Sequence, residues 1–353
     1  MQTGQGRGFW SRRWKTIVNV VTMVAFGVLV YLLRDEIASV VGNFGKVNTW
    51  ALLLMIPIQY LNYHSYARIY QAFFGIINER VRYWDMFKLS LELNFVNHVF
   101  PSGGVSGISY FGLRMKSYGV GVTKSTLAQV MKFALVFVSF QALLFFGLFS
   151  LSLANRANNL MVLVAGSLAT AVLLGTLVTV YILESRQRIN NFLTGLAKSL
   201  NRLIGLMRPA RPETINIERA QIAFDELHEN YLITKRNWRA MRRPLLYAFL
   251  ANLTEVLTIY VVFLAFGQQV NIGAVILAYA VANFAGLISV LPGGVGVYET
   301  IMTAVMAAAG VPAGVTIPVI LMYRVINVIL QLPIGYVFYH QALRGRGFEA
   351  PRA

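Results

Sequence analysis

The stretch Leu291-Pro292-Gly293-Gly294-Val295-Gly296-Val297-Tyr298-Glu299 interrupts an otherwise apolar run. Upstream of it, Ile272 to Leu291 carries no charge, and downstream only Val297 to Ala309 remains before Gly310-Val311-Pro312. Proline lacks an amide N–H and glycine accepts almost any backbone angle, so Pro-Gly-Gly ends a helix and turns the chain. The pattern predicts a helical hairpin around 272–309 that enters a bilayer, bends and leaves by the same side. Unpaired backbone groups are not tolerated facing lipid, so such a break belongs inside protein or against a wet cavity.

The rest of the chain supports a bilayer. Of 353 residues 57% are apolar and only 13% charged, where soluble domains carry about 25% charged residues. Thr16 to Leu33, Trp50 to Phe74, Phe133 to Leu153, Leu160 to Leu183, Pro244 to about Phe266 and Val315 to Tyr339 read as six crossing helices. The expected fold class is therefore an all-α polytopic membrane protein, with about six full spans and two re-entrant hairpins. Lacking Cys and holding 4 scattered His, the sequence suggests neither a disulfide nor a metal site.

The first hairpin is expected around 86–118. Met86 to Phe100 carries Lys88, Glu92, Asn94, Asn97 and His98, reaches only about 22 Å as a helix, and breaks at Pro101-Ser102-Gly103-Gly104. The interval from Pro101 to Gly119 equals that from Pro292 to Gly310, and Lys132 and Arg324 follow at nearly equal distances. Each half reads as span, span, hairpin, span, the first starting inside and the second outside. That is the pattern of an inverted repeat, which places a site between broken helices at mid-membrane. By composition the chain divides into a first membrane repeat at 1–184, a cytoplasmic amphipathic linker at 185–243, and a second membrane repeat with a short basic tail at 244–353.

The net charge of +17 invites a nucleic-acid reading, but the basic residues sit at span ends. Outside the spans, only Arg34, Lys46 and Arg156 fall on exterior loops in this topology; the other Lys and Arg are cytoplasmic. The positive-inside rule then puts both termini in the cytoplasm of a multi-pass plasma-membrane protein. The linker has two periodic apolar faces, Ile189 to Met207 and Ile217 to Tyr231, which read as interfacial helices or as covers for the span ends.

Ionisable residues within spans are costly and usually functional. Here they include His64, Arg68, Glu92, His98, Lys132, Glu255, Glu299 and Arg324. Lys132 and Arg324 follow the two hairpins and suit an anionic head group, while Glu299 is equally placed to pair with Arg324 and neutralise it. Arg68 and Glu255 occupy corresponding spans and are a candidate ion pair. Asn94 and Asn97 supply neutral hydrogen bonds, and Pro101, Gly103, Gly104, Pro292, Gly293 and Gly294 form the two tips. Amides opening the helix after each tip carry the positive end of its dipole and fit a phosphate. The plainer reading is that the glycines only turn the chain and let helices pack closely.

With these motifs the sequence resembles the flippase-like membrane domain of the lysylphosphatidylglycerol synthase family. The resemblance covers most of the chain and rests on Asn94 to Pro101 with Gly103-Gly104, on Leu291 to Glu299, on Gly310-Val311-Pro312 and on Tyr323-Arg324. Many relatives carry Gly-Glu and a nearby Arg after the first Pro; here Ser106 and Gly107 stand instead, with Arg114 further on. Two-domain members are implied to move a lipid across the membrane, with a cytosolic aminoacyl transferase following. This sequence ends shortly after its last span, so a stand-alone membrane part without aminoacylation is expected.

No nucleophile–base motif and no phosphate loop stands in the sequence, so neither an enzyme nor a cofactor is expected. The leading expectation is a translocase for an anionic phospholipid or a polyprenyl-phosphate-type lipid. Secondary transport of a small anion, or a non-transporting membrane subunit beside a separate lipid-modifying enzyme, are the alternatives. Expected partners are membrane lipids with an anionic head group, not nucleic acid, and a second copy of the chain remains open.

Overall fold

The computed structural model describes residues 47–100, 105–154, 159–207, 217–288 and 296–344, with single positions between 31 and 45. Nearly all of the first expected span, and the tip residues Pro101, Gly103, Gly104, Pro292, Gly293 and Gly294, lie outside the described residues. After a single turn at Thr49–Leu52, capped by Asn48, come α1 (Met55–Ile76), α2 (Tyr83–Val99), α3 (Val105–Ser117), α4 (Val122–Leu153) and α5 (Asn159–Leu183). Then follow α6 (Arg186–Met207), α7 (Ile217–Arg236), α8 (Arg242–Ala265), α9 (Ile272–Ile288), α10 (Val297–Ala308) and α11 (Ala313–Arg344). The described residues contain no strand, and the chain is an all-α polytopic membrane protein.

Val122–Leu153, Met161–Leu183, Trp238–Ala265 and Ala313–Arg344 are long and apolar enough to cross a bilayer. The span expected from Trp50 starts instead at Met55 and runs on to Ile76. Its 22 residues reach about 33 Å, but it is more polar, because Gln59, Asn62 and Ser65 are buried on it. By contrast α3 and α10, with 13 and 12 residues, reach only about 20 and 18 Å, short of a hydrocarbon core of about 30 Å.

The helix ends repeat. Gly119 closes α3 at φ +84° and Gly310 closes α10 at φ +84°. In both turns the glycine N–H bonds three residues back, to Lys116 (3.1 Å) or Ala307 (2.9 Å). The next N–H reaches five back, from Val120 to Met115 (3.0 Å) or from Val311 to Met306 (2.9 Å). This is a left-handed helix cap with its apolar contact, Met against Val, buried in both cases. The same bonds close α1 at Asn78 (φ 59°) and α8 at Gly267 (φ 70°).

Packing is reciprocal as well. The first helix of each helical pair lies on the long helix that follows the other pair: α2 on α11 and α9 on α4. Both approaches are glycine-close. A Cβ on Gly335 of α11 would come within 2.7 Å of the Leu91 carbonyl of α2, and one on Gly273 of α9 within 2.2 Å of the Gly147 carbonyl of α4. At the centre α1 and α8 run antiparallel, with Asn62 donating to the Ala251 carbonyl (3.1 Å) and Thr254 Oγ1 (3.0 Å), and Gln59 to Thr258 Oγ1 (3.2 Å). Between lipid-soluble surfaces such hydrogen bonds and small-residue contacts, rather than hydrophobicity, hold helices together.

The linker residues form α6 and α7, which pack on each other and, through α7, on α4. Arg186 and Asp225 join them in a bidentate pair at 2.5 Å, and this guanidinium holds the Asp225 carboxyl below the usual carboxylate range.

Candidate functional site

A cavity of about 200 Å³ opens between α1, α2, α3, α4 and α8. One of its walls is a polar stripe on α1: Asn62, Tyr63, Tyr66 and Tyr70 line it, with Gln59 one turn above. That spacing keeps them on one helical face, a signal present in the sequence but hidden among apolar neighbours. Asn94 and Asn97 line the cavity from α2, Gly107 from α3, Gln129 and Lys132 from α4, Glu255 from α8 and Gln331 from α11. The sequence-derived residues Asn94, Asn97, Lys132 and Glu255 are thus brought together.

A hydrogen-bonded network fixes the wall. Asn94 Nδ2 donates to Tyr63 Oη (2.6 Å) and to Gln331 Oε1, while Gln331 Nε2 donates to Gln59 Oε1 (2.8 Å) and Asn327 Oδ1 (2.6 Å). Tyr70 Oη donates to Gln129 Oε1 (3.2 Å). Gly107 makes room for Asn97: a Cβ there would lie 2.1 Å from Asn97 Oδ1. Any side chain at that position requires Asn97 to move.

Charges are handled differently on the two sides. In the first hairpin Glu92 of α2 is buried and accepts from Arg114 Nε (2.8 Å), Arg114 Nη2 (3.1 Å) and Tyr110 Oη (2.8 Å). In the second, Glu299 of α10 reaches forward to Arg324 of α11 as an ion pair, and its Oε2 also accepts from the Gly296 N–H (2.6 Å), capping α10. Of the two readings for Arg324, neutralisation by Glu299 is the one the structure displays. Lys132, at the matching position, lies 3.8 Å from the Phe133 ring centroid and 6.0 Å from that of Tyr66, with no carboxylate in salt-bridge range among the described residues.

The expected pair of Arg68 with Glu255 does not form. Arg68 donates to Gln71 Oε1 (2.8 Å) and stacks 4.7 Å from the Tyr83 ring centroid, whereas Glu255 accepts from Asn62 Nδ2 (3.1 Å) and Tyr323 Oη (3.3 Å). The reason is geometric. With α1 and α8 antiparallel, Asn62 faces Glu255, and Arg68 lies further along α1 by about 9 Å of helix rise.

Beside the polar cavity runs an apolar one of about 430 Å³, between α4, α5 and α7, walled by Met131, Phe137, Val172, Gly175 and Tyr231. Phe133 lines both cavities and stays 40% exposed. A polar chamber thus adjoins an oily groove across one side chain.

Residues 14–335 match the family described as Lysylphosphatidylglycerol synthase TM region. A UPF0104 membrane protein of Methanothermobacter thermautotrophicus is 32% identical over 108 residues, which is 31% of this chain and 32% of the relative. A UPF0104 membrane protein of Pyrococcus horikoshii is 28% identical over 102 residues, 29% of this chain and 30% of the relative. The chain thus spans about a third of the length of these two curated relatives. A third, from Methanocaldococcus jannaschii, is 21% identical over 334 residues, covering 91% of this chain and 93% of that protein. With the helical hairpins, the crossing helices and a match over most of its length, this chain belongs to the lysylphosphatidylglycerol synthase transmembrane-region family, as a multi-pass membrane protein.

Proposed function

We propose that the protein is a lipid translocase of the cytoplasmic membrane, not an enzyme. It takes an anionic head group into the polar cavity while the acyl chains stay in lipid or in the adjoining groove. The carrying observation is Lys132, a cation on the wall of a hydrogen-bonding cavity that shares Phe133 with an apolar groove. A phosphate oxygen supplies the direct ionic contact to Lys132 that no described carboxylate reaches, and Asn94, Asn97 and Gln129 offer further polar contacts. Anionic phospholipids and polyprenyl phosphates both fit this chemistry. The apolar groove favours a lipid over a small free anion, for which it has no use.

The reading includes an inverted repeat with both termini cytoplasmic. It is supported by the matched caps at Gly119 and Gly310 and by the exchange of α2–α11 for α9–α4 packing. Broken helices facing each other at mid-membrane are the architecture in which one half rocks against the other.

The test is transport in vesicles. With purified protein reconstituted, fluorescent phosphatidylglycerol or a polyprenyl phosphate is expected to cross faster than in protein-free vesicles, and faster than a zwitterionic phosphatidylcholine. No acceleration of any anionic lipid contradicts the proposal.

A further inference from the structure

Glu255 has no part in holding a head group, yet it lines the same cavity. It sits near the middle of α8 and, among the described residues, accepts from neutral donors, Asn62 Nδ2 and Tyr323 Oη. Five tyrosines stand close enough to feel its charge: Tyr63 and Tyr66 of α1, Tyr279 of α9, Tyr298 of α10 and Tyr323 of α11. The neighbouring charges are accounted for. Arg324, next to Tyr323, is engaged by Glu299; Arg68 of α1 is turned toward Gln71 and Tyr83; Lys132 faces the cavity from α4.

We infer that Glu255 is a proton-binding site whose protonation is linked to occupancy of the cavity by an anionic lipid head group. The inference rests on the head-group reading and adds the proton to it. Charge balance carries it. In the empty cavity Lys132 as a cation and Glu255 as a carboxylate sum to zero. A monoanionic phosphate diester then leaves one uncompensated negative charge in a poorly solvated space, where like charges repel far more strongly than in water. Transfer of one proton to a Glu255 oxygen restores neutrality, with no bond to the lipid made or broken. The carboxylic acid keeps one oxygen to accept from Asn62 or Tyr323 and gains a donor toward a tyrosine oxygen. Occupied by lipid, the site therefore carries one proton more than when empty, so the proton gradient across the membrane can drive the lipid.

Calorimetry on the detergent-solubilised full chain tests this, using short-chain dioctanoyl-phosphatidylglycerol as the probe. Titrations in two buffers of different ionisation enthalpy report protons taken up on binding. Close to one proton per lipid is expected, with none for dioctanoyl-phosphatidylcholine. Affinity for phosphatidylglycerol should also fall by up to about tenfold per unit rise in pH, the limit for one linked proton. The Glu255→Gln variant should bind without proton uptake and without that pH dependence. Binding with no uptake and a flat pH profile in the unmodified protein overturns the proton link alone, as does uptake that survives Glu255→Gln. Absence of phosphatidylglycerol binding at every pH overturns the head-group reading and this inference with it. If Glu255→Gln does not fold, the two-buffer comparison on the unmodified chain decides.

Discussion

The two hairpins share a turn and a length but dispose of their charges in opposite ways. The first closes on itself: Glu92 on its entry arm and Arg114 on its exit arm are both buried and bonded twice to each other. The second reaches out, with Glu299 on its exit arm pairing to Arg324 on the helix that follows. Glu92 is taken up by Arg114 and Lys132 faces a cavity with no described carboxylate in salt-bridge range, whereas Arg324, which follows its cap at nearly the same distance, is paired with Glu299. Matched backbones thus support an asymmetric site, and the asymmetry lies in which residue receives the carboxylate.

The Glu92–Arg114 pair should show the largest effect on folding. Glu92→Gln leaves Arg114 buried without its counter-ion, which costs about 3–5 kcal/mol. A steep fall in folded yield is expected by size-exclusion chromatography in detergent, together with a lower thermal midpoint. An unchanged midpoint would remove the claim that the first hairpin is closed by this pair.

Arg324→Met sharpens the contrast. Glu299 is then left uncompensated, at a cost of about 3 kcal/mol, partly relieved because its bond from the Gly296 N–H persists. Combining Arg324→Met with Glu299→Gln should recover most of the thermal midpoint, the coupling expected of residues in direct contact. Additive losses in the double variant would mean that the pair is incidental.

Gly273→Ala probes the reciprocal packing. Its new Cβ meets the Gly147 carbonyl at 2.2 Å, so α9 and α4 must separate, with a loss of about 1–3 kcal/mol typical of overpacking. The equivalent change Gly335→Ala meets the Leu91 carbonyl at 2.7 Å and should cost less in the same thermal assay. An equal or reversed order would contradict the ranking that these two distances imply, and no loss at either glycine would break the parallel.

Much of this fold is legible in the sequence because membrane helices obey few rules. Charge-free length announces long apolar helices directly, and the equal spacing of Gly119 and Gly310 announces the two matched caps. The site is less legible. Lys132, Asn94 and Asn97 stand out as polar residues in apolar surroundings, but Asn62, Tyr63, Tyr66 and Gln129 do not, since side chains of that kind serve as ordinary contacts between helices. The expected Arg68–Glu255 pair fails for an instructive reason. Residues at like positions of antiparallel helices lie on opposite sides of their crossing point, and only those at the crossing meet, as Asn62 and Glu255 do. The asymmetric partner of Asn78 in the left-handed cap, Gly267, likewise hides a repeated turn behind two different residues.

Lys132 is the position on which the functional account turns. Native mass spectrometry of the purified protein, offered phosphatidylglycerol and phosphatidylcholine at equal concentration, measures its role directly. Preferential phosphatidylglycerol adducts are expected, with the preference reduced about tenfold or more by Lys132→Met, from loss of a charged hydrogen bond of about 1.5–3 kcal/mol. Equal retention of both lipids, or a preference untouched by Lys132→Met, contradicts the head-group reading.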